Sequence, residues 1–195
     1  MTTTFKTMKL FAIMVLMLTA ISCGSKKEEK GSTETATTTQ TLTVDQLLAN
    51  PENYLDSTVT IEGLCSHLCS QGGRKAFIQG NADNMQIRCE AFPGMKEPFP
   101  GEAVHKPMKV TGILREQRID EEYLKCLEES VQNDRDRKEA TCETERAAHG
   151  QKEISTLEGR VADYRARIAE NVAKGGNPYL SFYYIESTGY EILPE

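Results

Sequence analysis

Three cysteines and one histidine in the middle of the chain are of the residue types that bind metal ions. Cys65, His67 and Cys69 are spaced two residues apart, from the end of the first predicted strand onward, and Cys89 lies in a later strand. Because side chains alternate between the two faces of a strand, a regular strand places the first three on one face. Thiolates and imidazoles are the ligands of tetrahedral Zn²⁺ and suit Cu(I). The pattern therefore predicts a site for zinc or copper.

The same thiols allow two other interpretations. Cys89 forms a disulfide with Cys65 or Cys69 if the protein folds in an oxidising compartment, which leaves His67 at the surface. Alternatively, the cysteines stay unpaired in a core. The chain contains neither a Cys-x-x-Cys redox motif nor the Cys-x-x-Cys-His attachment site of haem, so a metal- or haem-handling protein is a second hypothesis rather than the first.

A second cluster of candidate residues lies in a glycine-rich turn. Gly72-Gly73-Arg74-Lys75 combines backbone N–H groups with two cations, Arg74 and Lys75, which together would bind an anionic ligand. The simpler interpretation is a hairpin turn with solvated basic side chains.

No catalytic arrangement accompanies these clusters. His67, His105 and His149 are scattered, and the sequence has no HExxH motif and no phosphate-binding loop. A cysteine nucleophile needs an oriented base, which the sequence does not supply. We therefore expect a protein that is not an enzyme.

The first 22 residues have the composition of an export signal. Lys6 and Lys9 form a basic segment, and positions 10–21 are 12 uncharged, mostly apolar residues. A membrane-spanning helix needs roughly 20 apolar residues, so this run is too short to span a bilayer. Its length is typical of the apolar region of a signal peptide. We expect residues 1–22 to be removed.

The end of this leader is similar to a known processing site. Ala20-Ile21-Ser22-Cys23-Gly24 resembles the lipobox of bacterial lipoproteins, departing from it at Ala20, where leucine is usual. The resemblance implies that the Cys23 thiol is linked to diacylglycerol and that Cys23 becomes the first mature residue. Two or three acyl chains hold a protein stably at a membrane. Ordinary signal-peptidase cleavage, which leaves Cys23 without lipid, is the alternative.

The residues after Cys23 indicate a location. Gly24 stands where aspartate retains lipoproteins at the inner membrane of enteric bacteria, so we expect an outer-membrane lipoprotein. Lys27-Glu28-Glu29 is either similar to a surface-export signal or a solvated charged run, which leaves the periplasmic and surface-facing orientations open. Residues 23–41 are polar, without apolar periodicity, and predict a flexible tether.

The chain is acidic. Its formal net charge is −6, and it becomes −8 without the leader, which holds two lysines and no acidic residue. Proteins bind nucleic acid mainly by neutralising phosphates with Lys and Arg. The charge therefore makes nucleic acid an unfavoured partner.

The cysteine count is odd once Cys23 is set aside. Five remain, so at least one stays unpaired, binds a ligand or pairs outside the chain. Cys126 and Cys142 are 16 residues apart, which is roughly 24 Å along one continuous helix and far beyond the roughly 7 Å reach of a disulfide. We expect them not to pair with each other.

Apolar residues alternate with polar ones over much of the chain. The folded part is predicted to begin at Leu42, where Thr43 and Gln46 form a capping box for a short helix that Pro51 stops. Alternation predicts four strands, at 59–65, 75–79, 85–90 and 108–114, and a fifth within 180–192.

Between the fourth and fifth strands the period becomes helical. Positions 120–148 are highly charged and predict one long helix, with Arg146 on a solvated face. Ser155 and Glu158 form a capping box for a second helix, which Gly175-Gly176 ends. The domain 42–195 is thus predicted to be mainly β, with an α insertion at 119–175. This helical hairpin between strands 4 and 5 offers a surface for a protein partner.

Several short motifs lie one after another along this domain. They are Asn50-Pro51-Glu52-Asn53-Tyr54, Val59-x-Ile61-x-Gly63, His67-x-Cys69-x-x-Gly72-Gly73-Arg74-Lys75, Gly112 and Tyr190-Glu191-Ile192. Together they resemble the small OB-fold (tRNA-anti-like) lipoproteins of gut-type bacteria, over residues 42–192. The resemblance implies a five-stranded OB-fold-like barrel. A fold of this kind serves many functions, so it implies no function by itself.

Three functions are consistent with these observations. The first is a membrane-anchored, non-enzymatic binding or interaction module whose ligand the sequence does not identify. The second is a metal- or haem-handling envelope protein that uses Cys65, His67, Cys69 and Cys89. The third is oligonucleotide or oligosaccharide binding by the barrel, where rings among Phe182-Tyr183-Tyr184 would stack on the ligand.

Overall fold

The computed structural model describes residues 37–69, 72–82, 85–133 and 143–194. Within these ranges the chain forms six strands and four α-helices, with short 3₁₀ turns at Pro51–Tyr54 and Gly101–Ala103. The strands are β1 (Thr37–Thr43), β2 (Thr58–Leu68), β3 (Lys75–Gln79), β4 (Gln86–Glu90), β5 (Pro107–Ile119) and β6 (Leu180–Ile192). The helices are α1 (Val44–Ala49), α2 (Glu121–Asn133), α3 (Glu143–Ala148) and α4 (Leu157–Ala173).

Five of these strands close into a barrel. The sheet runs β2-β3-β4-β6-β5, and β5 pairs again with β2. β4 and β6 are parallel, whereas the other barrel pairs are antiparallel. A closed five-stranded barrel of this kind is OB-fold-like. The predicted fold class, mainly β with an α insertion between the fourth and fifth barrel strands, is confirmed.

The alternation of apolar residues produces the barrel core. Val59 and Ile61 on β2, and Val110 and Leu114 on β5, are fully buried, while the residues between them are less buried or, like Gly112, have no side chain to bury. Each such burial stabilises the fold by about 1.5–3 kcal/mol. The two strands pair over the whole of this stretch, so the inward-facing side chains form one cluster.

The folded part begins earlier than the predicted boundary at Leu42. β1 starts at Thr37 and pairs in parallel with positions 58–62 of β2. The physical reason is that β3 covers this edge of β2 only from Leu64 onward. Without β1 the edge would carry unpaired N–H and C=O groups. Residues 37–41, which were predicted to belong to the tether, are therefore part of β1.

Helix α1 begins as the sequence predicts. The Gln46 backbone N–H donates to the Thr43 hydroxyl at 3.2 Å, and the Thr43 backbone N–H donates to the Gln46 side chain at 2.9 Å. This reciprocal pair is the predicted capping box. Val44 and Leu47 are fully buried against the barrel core. The helix ends at Ala49, just before the proline.

The insertion lies where the sequence predicts it, between β5 and β6. α2 and α4 form a hairpin, in which Arg165 on α4 binds Glu121 and Glu128 on α2, both at 2.8 Å. Leu124 and Val161 are buried in the core that joins this hairpin to the barrel strands.

Residues 134–142, the middle of the predicted long helix, lie outside the described residues, and so does Cys142. Of the helices in the described ranges, none has both the length and the apolar character that a membrane crossing requires.

The ends of α4 were predicted in part. The capping box of Ser155 and Glu158 is wrong: Thr156 is the N-cap, and its hydroxyl accepts a hydrogen bond from the Gly159 N–H at 3.1 Å. Thr156 has the extended backbone that an N-cap needs, with φ −95° and ψ 148°. The predicted C-terminal end is confirmed, because Gly175 follows the helix at φ +81°, a conformation that glycine adopts without strain.

Candidate functional site

The predicted metal ligands do not converge, because β2 is not regular. Cys65 pairs with Ile78 and His67 pairs with Phe77, so Ser66 is an extra residue between them. A bulge of this kind interrupts the alternation of side chains. Cys65 therefore belongs to the barrel core, whereas the His67 ring lies 5.9 Å from the ring of Phe77 on the other side of the strand.

The buried cysteines are free thiols. Cys65 and Cys89 are completely buried in the core, and Cys69, one residue beyond β2, is also buried. None of these three forms the disulfide that the sequence allowed. Burial raises the pKa of the Cys65 thiol, and burial together with the nearby Cys65 raises the pKa of Cys89. Both thiols are therefore neutral at pH 7.

A zinc or copper site needs several ligands that converge on one point. Over the described ranges, no three His, Cys, Asp or Glu side chains form a group that could hold a metal ion. The bulge is the physical reason, since it separates His67 from Cys65.

Arg74 and Lys75, the predicted anion-binding pair, lie in different environments. Gly72 and Gly73 form the expected hairpin turn, with φ values of +81° and +64°. Arg74 is exposed, and its guanidinium lies 5.3 Å from the centre of the Phe92 ring. Lys75 instead binds a carboxylate on α3. Only Lys75 of this pair belongs to a larger polar cluster.

That cluster lies on the outside of the barrel. Strand pairing sets Phe77 opposite Arg88, Arg88 opposite Tyr184, and Gln117 opposite Phe182. We call this surface the outer face; its residues are Lys75, Phe77, Gln86, Arg88, Gln117, Phe182 and Tyr184. It combines aromatic rings with cationic and hydrogen-bonding groups, which is the composition of many ligand sites.

Arg88 is the centre of the outer face. Its side chain is only 11% exposed. The guanidinium donates to Glu145 and to Gln117, both at 2.9 Å, and its Nε lies 3.0 Å from Glu90. The Tyr184 ring lies 4.9 Å from the same group. A cation so far removed from water needs such partners, because an unpaired buried charge is very costly.

Helix α3 covers part of the outer face through Glu145. The carboxylate Oε1 accepts from Lys75 Nζ and Arg88 Nη1, both at 2.9 Å, and Oε2 accepts from Lys75 at 3.1 Å. The Gln86 side chain donates to the Thr144 carbonyl at 3.4 Å. Burial alone would raise the pKa of Glu145, but the charges of Lys75 and Arg88 outweigh it and lower the pKa. Glu145 is therefore ionised at neutral pH.

A cavity of about 160 Å³ lies between the outer face and α3. Its walls include Phe77, Gln86, Arg88, Glu145, His149 and Phe182. Its volume is close to that of an engineered cavity of roughly 150 Å³ that holds a benzene molecule. The cavity therefore has room for one small ring or one side chain beside the Arg88–Glu145 ion pair.

His149 forms the wall of this cavity at the end of α3. Its ring stacks on Phe182, with centroids 4.0 Å apart and planes 7° apart, and shares a hydrogen bond with the Tyr164 hydroxyl at 2.5 Å. The Arg167 guanidinium donates to the His149 carbonyl at 2.7 Å. Burial, with the charge of Arg88, lowers the pKa of His149 to about 4. The ring is therefore neutral at pH 7.

The sequence patterns did not identify Arg88, Glu145 or His149. Arg88 alternates with buried residues in β4, as a solvated strand residue does, and Glu145 lies in a charged segment typical of an exposed helix. Arg146 on the same segment is half-buried and donates to the Ile154 carbonyl at 3.2 Å, so the prediction of a solvated side chain is wrong for it. No local signal separates these residues from ordinary surface charges.

The environments of the cysteine thiols predict that the exposed thiol is more reactive than the buried ones. Cys126 is exposed, whereas Cys65 and Cys89 are buried and neutral. In the native protein, we expect a thiol reagent to modify Cys126 rapidly and the two core thiols only after denaturation. The Cys126→Ser variant should lack the Cys126 modification and leave the core thiols unchanged. A disulfide between Cys65 and Cys89, detected by mass spectrometry of the unreduced protein, would contradict this prediction.

The buried His149 predicts a loss of stability in acid. Its pKa is lowered from 6.5 to about 4 in the folded state, so the unfolded chain takes up a proton first as the pH falls. Stability is full above about pH 6.5 and falls by on the order of 3 kcal/mol between there and about pH 4. Urea unfolding at several pH values measures this slope.

A matched pair of variants tests the assignment to His149. His149→Phe keeps a ring for stacking and should flatten the slope between pH 6.5 and 4. His105→Asn, at an exposed histidine, should keep it. Equal slopes in the wild type and in His149→Phe would refute the assignment.

Comparison of the sequence with protein-family models gives no match, and comparison with curated proteins gives none. The resemblance to OB-fold lipoproteins therefore stays a prediction, whereas the OB-fold-like barrel is a feature of the structure.

Proposed function

We propose that this protein is a lipid-anchored envelope protein whose barrel binds a ligand on its outer face and catalyses no reaction. The observation that carries the proposal is the cavity beneath α3. It places the sequestered cation of Arg88 beside the rings of Phe77 and Phe182. Small concave sites with a few directed polar groups and aromatic walls are typical of ligand-binding proteins.

The leader supports the anchoring part of the proposal. A basic segment, an apolar run of 12 residues and a cysteine directly after it are the features of an exported lipoprotein. Lipid on Cys23 would hold the mature protein at the outer membrane, facing either the periplasm or the cell surface. Positions 24–36 would then link the lipid to β1, which begins at Thr37.

The net charge of the chain and the composition of the outer face favour a polar small molecule or an oligosaccharide over nucleic acid. A mature net charge of −8 repels a phosphate backbone. Phe182 and Tyr184 provide ring surfaces, and the amides of Gln86 and Gln117 provide hydrogen bonds.

The α2–α4 hairpin, where Val172 is 48% exposed, offers a second surface for a protein partner. Nothing in the described residues favours the metal- or haem-handling alternative.

Mass spectrometry of the mature protein tests the anchor. In protein extracted from bacterial membranes, we expect the first residue to be Cys23, with diacylglycerol on its thiol and an acyl chain on its amine. Cys23→Ala should remain unlipidated and leave the membrane fraction. An unlipidated Cys23 terminus in the wild type would disprove the lipid anchor, and an intact Met1 would disprove export as well.

Nuclear magnetic resonance tests the binding face. We expect a soluble envelope extract, added to the mature protein, to shift amide signals of β3, β4 and β6. Arg88→Met should weaken this response about tenfold or more, because a hydrogen bond to a charged group contributes about 1.5–3 kcal/mol. The control Lys109→Met, at a half-exposed lysine 3.9 Å from Glu62, should respond like the wild type. No shifts, or shifts confined to β1 and β2, would contradict the proposed binding face.

A further inference from the structure

The two cations of the outer face share one carboxylate from the same chain. Lys75 and Arg88 lie on neighbouring strands, and both donate to Glu145 Oε1 at 2.9 Å. The Arg88 and Glu145 side chains are 11% and 13% exposed, so their ion pair is largely shielded from water, whereas the Lys75 side chain is 34% exposed. Two converging charge-assisted donors on one oxyanion are the arrangement by which proteins recognise carboxylate and phosphate groups.

Helix α3 has no buried apolar face of its own to hold Glu145 in this position. It is six residues long and contains no buried residue. An isolated helix of this length is unstable in water. By contrast, α4 buries Val161 and Tyr164 in a core. The ion pairs of Glu145 and the hydrogen bond from Gln86 at 3.4 Å therefore hold the N-terminal part of α3 on the barrel, whereas the stacking of His149 on Phe182 anchors its C-terminal end.

The cavity continues directly from this ion pair. Arg88 and Glu145 form part of its wall, and Phe77, Phe182 and His149 form another part. A ligand that enters it with a ring or short chain therefore brings its anionic group to the position that the Glu145 carboxylate occupies.

We propose that Lys75 and Arg88 form the recognition site for the oxyanion of an acidic ligand, a carboxylate or a phosphate, and that Glu145 is an internal competitor which this ligand displaces. The proposal rests on the proposed function of the outer face and names its ligand class. Because Glu145 is tethered next to the two cations, it competes at a high effective concentration. Simple anions in the surroundings are thereby excluded, and only a ligand that also uses the cavity displaces the carboxylate.

Removing the competitor's charge tests the proposal. Glu145→Gln keeps the side-chain shape but removes its negative charge, so the ion pairs with Lys75 and Arg88 are lost without a large change in packing. The probes are inorganic phosphate and benzoate, which separate a phosphate site from a carboxylate on a ring. We expect Glu145→Gln to bind at least one probe about tenfold more tightly than the wild type. In the wild type, the ion pairs of Glu145 must first be broken before Lys75 and Arg88 can bind the probe. Isothermal titration calorimetry measures both affinities.

Two further variants control the interpretation. Glu143→Gln removes a charge from the same helix at a side chain that is 67% exposed, and it should bind like the wild type. Adding Arg88→Met to Glu145→Gln should abolish the gain. Equal affinities in the wild type and Glu145→Gln, or no binding of either probe by Glu145→Gln, would overturn the proposal.

Hydrogen exchange on the unmodified protein decides the question if Glu145→Gln does not fold. Saturating benzoate, whose ring can enter the cavity, should accelerate exchange of the α3 amides and leave those of α4 unchanged. Slower or unchanged exchange in α3 refutes displacement. If the resonance shifts on β3, β4 and β6 persist in that case, only the acidic ligand class fails. If those shifts are also absent, the proposed function fails with it.

Discussion

The desolvated guanidinium of Arg88 is the constraint on which the site depends. It sits on the outside of a barrel wall, where solvent would normally surround it, and yet it is 11% exposed. A charge in such a place requires an anion close by, because the lost hydration is not otherwise replaced. Glu145 and Glu90 supply that charge, and Gln117 supplies a neutral acceptor. The position of Glu145 beside Arg88 and its ionised state meet this requirement.

The barrel could be predicted because short-range sequence patterns specify its strands and turns. Alternation in β2 and β5, the Gly72-Gly73 turn and the capping box at Thr43 are all short-range patterns, and the structure contains each of them. The start of β1 could not be predicted in this way. A threonine-rich segment becomes a strand only because β2 has an uncovered edge beside it, which is a property of the assembled sheet.

The candidate site could not be predicted for a related reason. One extra residue at Ser66 was enough to separate His67 from Cys65, and a single bulge leaves no clear mark in the sequence. Arg88 and Glu145 are 57 residues apart, so their ion pair depends on how the insertion folds back over the strands. Local patterns correctly predicted that a helical insertion exists, but they contain no information about the surface it covers.

The position of β6 in the sheet has a consequence for the folding pathway. β6 lies between β4 and β5, yet the chain supplies it only after the whole helical insertion. Until then the two neighbouring strands each present an open edge, and the barrel cannot close. Contacts between such distant segments slow folding, since a long loop must be ordered before they form. The barrel of the nascent chain therefore stays open until β6, its last described strand, is available.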